Sequence, residues 1–347
     1  MKKKSLVAKK IIHNYLLKHL NNNRVKKVFN GYKNQLDELI NKKTSIGVAI
    51  SGGPDSMALA FLTKCYCLKN NSNSKFFLVD HKMRKESSKE AKNVKKILNK
   101  FDINCKILKW KGSKPVSNIQ GIARNKRYEL LKNSCKKLNI NHLLVGHHID
   151  DLYENFFIRL LRGSGLKGLS SFGEMIRDED NFYILRPLIK FQKKELIYIS
   201  KLVFKFSVSD PSNENFIFRR TRIRKLINEL RKEGLDNKKL NLTIKNLKIA
   251  NESINYYVKR NFKLNTKLNE NKNMFILSNN FFKQSDEVIF RSMSAVLKKI
   301  SGKYYSPRGK SIYDSILRMK LKNFKKFTLG GCFVEKVSET VFITREK

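Results

Sequence analysis

Along the first half of the chain, short apolar runs at residues 46–50, 76–79, 103–109 and 143–146 alternate with longer stretches of apolar positions at helical spacing. Strands of four to seven residues separated by about 20 to 30 residues of helix predict a parallel α/β sheet, since parallel neighbours need a crossover long enough to hold a helix. Ligands of such sheets bind beyond the carboxyl ends of the strands. Ser51–Ser56, Asp80-His81 and His147-His148 each follow a predicted strand, so all three are expected to converge on one crevice.

From residue 189 the alternation stops. Residues 190–204 read as a helix, 209–213 as a turn, and 219–232 as a helix carrying seven basic residues. Amphipathic spacing then runs to Phe262, a linker-like stretch covers 263–273, and alternation over 334–344 predicts a terminal hairpin. Before the first strand, Leu6, Ile11, Ile12, Leu16, Leu17 and Leu20 predict an amphipathic helix. The fold class expected is therefore α/β, a parallel twisted sheet flanked by helices, followed by a mainly helical C-terminal domain ending in short strands. No internal repeat is visible.

Charge changes this picture more than length does. The chain of 347 residues holds 74 Lys+Arg against 29 Asp+Glu, a formal net charge of +45 spread along its whole length. Such a field attracts polyanions, nucleic acid first among them. Asparagine runs such as 21–23 and 70–71 point to a second source of lysine, a genome rich in A and T. Residues 1–43 alone carry 12 basic and 2 acidic residues, a basic helical lead-in. The five cysteines form no C-x-x-C pair, which suits a reducing cytoplasm and suggests no zinc or iron–sulfur site. Nothing approaches 18 consecutive apolar residues, so no membrane span is expected.

Chemistry enters at Ser51-Gly52-Gly53-Pro54-Asp55-Ser56, between a strand and a helix. Two glycines let backbone N–H groups converge on an anion, Pro54 suits a first helical position, and the helix N-terminus adds partial positive charge. No Gly-Lys-Ser/Thr follows, so this is not the common nucleotide loop. Asp55 stands there instead, and a carboxylate beside phosphates calls for a cation such as Mg²⁺ between them. The plain alternative is a Gly-rich turn with Asp55 as a helix cap. Further on, Asp151 and Glu154 lie three apart on one predicted helix face and can hold a cationic amine. A metal reading of His147, His148 and Asp150 is also open. Arg124 and Arg127 share a helix face suited to phosphate.

The Ser51–Ser56 loop resembles that of the PP-loop ATP pyrophosphatases, with their adenine nucleotide alpha hydrolase-like fold. Further elements narrow the resemblance to the lysidine synthetases: Val79-Asp80-His81-Lys82-Met83-Arg84, Ala123-Arg124-Asn125-Lys126-Arg127-Tyr128, Gly146-His147-His148-Ile149-Asp150-Asp151-Leu152-Tyr153-Glu154-Asn155, Arg162-Gly163-Ser164-Gly165-Leu166-Lys167-Gly168-Leu169, Arg186-Pro187-Leu188-Ile189, Asp210-Pro211-Ser212-Asn213 and Arg220-Thr221-Arg222-Ile223-Arg224. Asn155 and Thr221 depart from that family's usual threonine and asparagine. The match is strong over 44–225 and loose beyond, chiefly at 328–332.

That resemblance implies a PP-loop catalytic domain at 44–225 and a basic tRNA-binding domain at 226–347. It implies that the isoleucine tRNA with a CAU anticodon has its first anticodon cytidine adenylated by ATP and then joined to L-lysine. ATP is then bound by Ser51, Gly52, Gly53, Pro54, Asp55, Ser56, His81 and His148, with Asp55 on Mg²⁺. Asp55, Asp151, Glu154 and Arg124 carry the chemistry, Asp151 and Glu154 also hold lysine, and Arg162, Arg220, Arg222 and Arg224 grip the tRNA. The setting implied is cytoplasmic, and a homodimer is admitted. The rival readings are a tRNA thiolase of the same superfamily and a non-catalytic RNA-binding protein on this fold.

Overall fold

The computed structural model describes every residue except 1, 42, 83–85, 111, 113–118, 179, 209–218, 272, 304–305, 322–323, 325 and 347. Met83, Arg84 and the Asp210–Asn213 motif lie outside the described residues. The chain divides into two units, Met1–Asp236 and Asn237–Lys347.

In unit 1, helices α1 (Lys2–Lys18) and α2 (Asn23–Leu39) precede β1 (Ile46–Ile50), α3 (Pro54–Asn70), β2 (Ser74–Asp80), α4 (Ser87–Lys100), β3 (Cys105–Lys109), α5 (Ile119–Lys136) and β4 (His142–Leu144). Then come α6 (Ile149–Leu160), α7 (Leu166–Leu169), β5 (Met175–Arg177), β6 (Tyr183–Leu185), α8 (Lys193–Phe204) and α9 (Arg219–Lys232). The sheet order is β3-β2-β1-β4-β6-β5. All neighbours are parallel except β5, which runs antiparallel to β6. The strand order reverses direction between β1 and β4, which opens a crevice at their carboxyl ends. β1 is almost wholly buried, as a central parallel strand covered on both faces must be.

Helix α3 is apolar on every side, and Ser56 through Thr63 are all buried. It lies against β1 and β2 on one side and α1, α2 and α8 on the other. Leu16, Val25, Phe29, Tyr32 and Leu36 from residues 1–43 belong to the same core cluster as Leu59, Leu62, Leu196 and Val203. Burying one such side chain contributes about 1.5–3 kcal/mol, so α1 and α2 are structural members of unit 1. Asn22 caps α2 by accepting from the Arg24 and Val25 amides, and the hydroxyls of Tyr32 and Thr63 meet at 2.9 Å inside the core.

Unit 2 holds α10 (Asn237–Asn265), β7 (Thr266–Asn269), β8 (Met274–Leu277), α11 (Asp286–Ser301), α12 (Gly309–Lys320), β9 (Lys326–Leu329), β10 (Cys332–Val337) and β11 (Thr340–Arg345). The expected hairpin exists, with β10 and β11 paired from Cys332↔Arg345 to Val337↔Thr340. It belongs to a five-stranded antiparallel sheet of order β7-β8-β11-β10-β9. The linker expected over 263–273 is instead the last turn of α10 followed by β7, fixed by buried Asn261, which donates to Phe281 O at 3.3 Å and Ser292 Oγ at 3.2 Å. Phe275, Leu277, Val334 and Ile343 pack on Ile289, Met293 and Val296 of α11. Among the described residues, no helix is long and apolar enough to cross a membrane.

Candidate active site

At the end of β1 the chain turns through Gly52 at φ +87° into α3, with Pro54 in its first turn. A side chain at Gly52 is strained by that φ and would also meet Val94 Cγ2 at 2.7 Å. The loop is organised by one hydroxyl. Ser56 Oγ accepts from the amides of Ser51 and Gly52 at 3.1 Å each and from Ser51 Oγ at 3.0 Å, and donates to Gly53 O at 2.9 Å. Ser56 therefore shapes the loop from within, while the first-turn amides of α3 remain without helical acceptors. Across the crevice, Gly146 brings the chain after β4 so close that a Cβ there would sit 3.2 Å from Asp55 C and Ser56 N. Any side chain there would press on the backbone of the loop, tighter than nine in ten such contacts.

The ends of β1, β2 and β4 meet in a cavity of about 480 Å³. Ser51, Asp55, Ser56, His81, Arg124 and Asp151 line it, as do Arg127, His147 and Arg220. Three guanidiniums thus face one cavity, and among the described residues their one ion pair is the 3.9 Å contact of Arg220 with Asp151. Burial, with Arg124 and Arg220 adding to it, lowers the pKa of Arg127. Asp55, Asp80, Glu90 and Asp151 share this lining, but among the described residues Arg124 and Arg127 form no ion pair with them, which leaves their donors suited to phosphate oxygens. Asp80 is taken up locally, accepting from the Lys82 amide and the hydroxyls of Ser87 and Ser88. His81 lies edge-on to Trp110, and burial followed by Arg127 lowers its pKa.

His148 is the cap of α6 and forms a capping box with Asp151. Its Nδ1 accepts from the Asp150 amide at 3.3 Å, and its amide donates to Asp151 Oδ2 at 3.0 Å. Its Nε2 lies 3.6 Å from Asp55 Oδ2 and 3.5 Å from Asp151 Oδ2. The imidazole therefore ties the phosphate loop to α6. Burial raises the Asp55 pKa, aided by Asp151 and Asp150 and opposed by His148 and Lys193. Asp151 goes the other way: burial alone would raise it, but His148, His147 and the His148 amide hold it below the usual value.

Asp151 and Glu154 lie one turn apart yet do not face the same space. Glu154 is turned toward α9 and lines a second cavity of about 230 Å³ with His148, Tyr153, Lys193, Arg224 and Arg231. Its Oε1 accepts from Arg224 Nε at 2.5 Å, its Oε2 is buried without a partner among the described residues, and burial raises its pKa against the pull of Arg224. Of the four arginines expected to hold tRNA, Arg162 and Arg222 are exposed, Arg220 lines the first cavity, and Arg224 is engaged by Glu154. Arg231, which sequence reasoning did not single out, reaches Asp150 at 3.5 Å. Its signal was the spacing 220, 224, 231, one stripe of α9 laid along α6. Lys193, near Asp55, carried no such signal.

Asp55 Oδ1 is buried and has no hydrogen-bond partner among the described residues. Among the described residues no group of three or more His, Cys, Asp or Glu is placed to hold a metal ion, so the metal reading of His147, His148 and Asp150 is not supported. One free carboxylate oxygen beside a phosphate loop does fit Mg²⁺, which commonly takes one or two carboxylates and completes its shell with water and substrate phosphates.

Comparison with known proteins identifies the family of the chain. Residues 20–230 match the PP-loop domain family. The chain is 33% identical over 315 residues to the tRNA(Ile)-lysidine synthase of Orientia tsutsugamushi (strain Boryong), covering 87% of this chain and 69% of that protein. It is 32% identical over 306 residues to that of Wolbachia pipientis wMel, covering 87% and 70%. Among solved structures it resembles the U34-tRNA thiolase NcsA from Methanococcus maripaludis with its [4Fe-4S] cluster, at TM-score 0.53 and 20% identity over 60% of this chain and 74% of that one; that likeness concerns the fold alone. A PP-loop match over more than half of the chain, and relatives similar along most of it, place the chain in the tRNA(Ile)-lysidine synthase family.

Proposed function

We propose that this chain uses ATP to convert the first anticodon cytidine of the CAU-anticodon isoleucine tRNA to lysidine, with AMP and pyrophosphate as products. The observation that carries this reading is the 480 Å³ cavity, where the Ser51–Ser56 loop, three arginines and Asp151 converge. In the first step cytosine O2 bonds to the α-phosphorus of ATP and the bond to pyrophosphate breaks. In the second, the ε-amine of L-lysine bonds to C2, the C2–O bond breaks to release AMP, and the amine loses its proton.

Placement and charge do most of the work in such a transfer. The open amides at the α3 N-terminus take phosphate, Arg124 and Arg127 hold further phosphate oxygens, and His81 and His147 border the nucleotide, whereas His148, expected there, lines the second cavity and acts through its contact with Asp55. Asp55 would hold Mg²⁺, which when bound supplies positive charge between the carboxylate and the phosphates. A lysine side chain has a pKa near 10.4, so only about 1 in 2,500 is neutral at pH 7. Asp151, kept ionised at the cavity wall, suits the ε-ammonium. Glu154, with its unpaired buried oxygen and with Arg224 and Arg231 around it, suits the charged amino-acid end. The exposed Arg162 and Arg222, with the basic unit 2, are assigned to tRNA, and the chain is assigned to the cytoplasm. Against the thiolase reading, all five cysteines are buried and unpaired and none lines the cavity.

The test is pyrophosphate release from ATP with and without L-lysine and a CAU-anticodon transcript. Release requiring both is expected; release that needs a sulfide donor and ignores lysine overturns the reading.

A further inference from the structure

Arg186 follows β6 and is only 2% exposed, yet among the described residues no carboxylate lies within ion-pair distance of it. A buried guanidinium without a counter-ion is costly unless its donors are committed elsewhere. Here they are. Nη1 donates to Gly173 O at 2.7 Å, the guanidinium lies 4.3 Å over the Phe172 ring, and Nε donates to His147 Nδ1 at 3.2 Å. The imidazole of His147 rests against the same Phe172 at 5.5 Å and lines the nucleotide cavity.

An Nδ1 that accepts a hydrogen bond carries no proton, so the proton of neutral His147 is on Nε2. The opposite tautomer would turn a lone pair toward the cavity and repel phosphate oxygens. An imidazolium would be drawn to Asp151. Burial, the largest effect, lowers the His147 pKa; of the charged groups facing the ring, Asp151 favours protonation while Arg186, Arg124 and Arg220 act with burial, and the pKa is held far below the usual histidine value.

We propose that Arg186 is a positioning residue that, through one hydrogen bond, fixes His147 as a neutral Nε2–H donor toward the anionic atoms of the nucleotide. The buried cation near the site is thereby felt by the substrate as an oriented dipole. This rests on the reading that the cavity takes ATP, but the proton's location on His147 can be measured without it.

The first measurement is the nitrogen spectrum of ¹⁵N-histidine-labelled protein, with His147 assigned by the resonance lost in His147→Gln. Nδ1 unprotonated and Nε2 protonated across neutral pH is expected; a protonated Nδ1 in the wild type overturns the proposal. The second is pyrophosphate release by Arg186→Met, for which kcat should fall at least about 10-fold, and no further than the roughly 100- to 1,000-fold that outright loss of one oriented donor costs, while KM for ATP changes less than about 3-fold. Adding Arg186→Met to His147→Gln should cost nothing further, and independent, multiplying losses overturn the proposal. Arg186→Lys, which keeps the buried cation, replaces Arg186→Met in the same cycle if the latter does not fold. A wild type that releases no pyrophosphate refutes the ATP reading and leaves the spectrum to decide the tautomer.

Discussion

Replacing Arg224 by Gln should show how strongly α9 is held to α6 by a single carboxylate. Glu154 is 2% exposed and Arg224 35%, so the pair lies between a surface ion pair, worth about 0–1 kcal/mol, and a fully buried one, whose rupture costs about 3–5 kcal/mol. We expect a loss of about 2 kcal/mol near neutral pH, a fall in Tm of roughly 4–8 °C for a unit of this size. The loss should depend on pH with a definite sign. Burial raises the folded-state pKa of Glu154 above its unfolded value, so the folded state binds that proton more tightly, and this group favours folding as pH falls and opposes it as pH rises. Removing Arg224 takes away the hydrogen bond that holds the pKa down, which raises it further. The gap between variant and wild type should therefore be widest near pH 8 and narrow toward pH 5. Urea midpoints of both proteins across that range measure it, with m-values checked for constancy. Glu154→Gln added to Arg224→Gln should recover much of the loss, because a neutral amide has no ionisation to suppress. Equal losses at both ends of the pH range, or a double variant as unstable as the sum of the singles, would refute the reasoning.

Three further outcomes are expected. Asp55→Asn should slow pyrophosphate release by about 100-fold or more while leaving Tm unchanged or higher in thermal melts, since it removes a buried carboxylate with one unpaired oxygen. Asp151→Asn should raise KM for L-lysine in steady-state assays of lysidine formation; unchanged lysine KM and turnover would remove Asp151 from the lysine site. Arg162→Glu with Arg222→Glu should weaken tRNA binding and flatten its salt dependence by up to about two phosphate contacts, with KM for ATP unaffected in the same preparations.

The parts of the fold carried by local pattern were legible. β1 reads from sequence because a strand covered on both faces is a continuous apolar run, and the loop after it reads because Gly52 and Pro54 have backbone reasons to be there. β5 and β6 do not read, because three residues each are too few for a period. Residues 1–43 show an amphipathic helix but not what it covers; that depends on α3 being apolar all round, a property that pairs with α1 and α2 only in three dimensions. Helical spacing placed Asp151 and Glu154 on neighbouring positions, yet the capping box turns Asp151 back to the α6 N-terminus while α9 draws Glu154 away. Likewise, charge flagged Arg220 and Arg224 as polyanion contacts without showing that each has an acidic neighbour on α6.

Helix α3 has a mechanical consequence for the nucleotide loop. Its interior is sealed from Ser56 to Thr63, so its amides can exchange with solvent only through large-scale unfolding. The loop is the outer tip of that rod and has little freedom to follow a substrate. Adjustment during turnover then falls to the opposite bank of the cavity, α5 and α9, whose long arginine side chains are compliant. One bank acts as an anvil and the other as fingers, and nucleotide should alter exchange rates on the fingers.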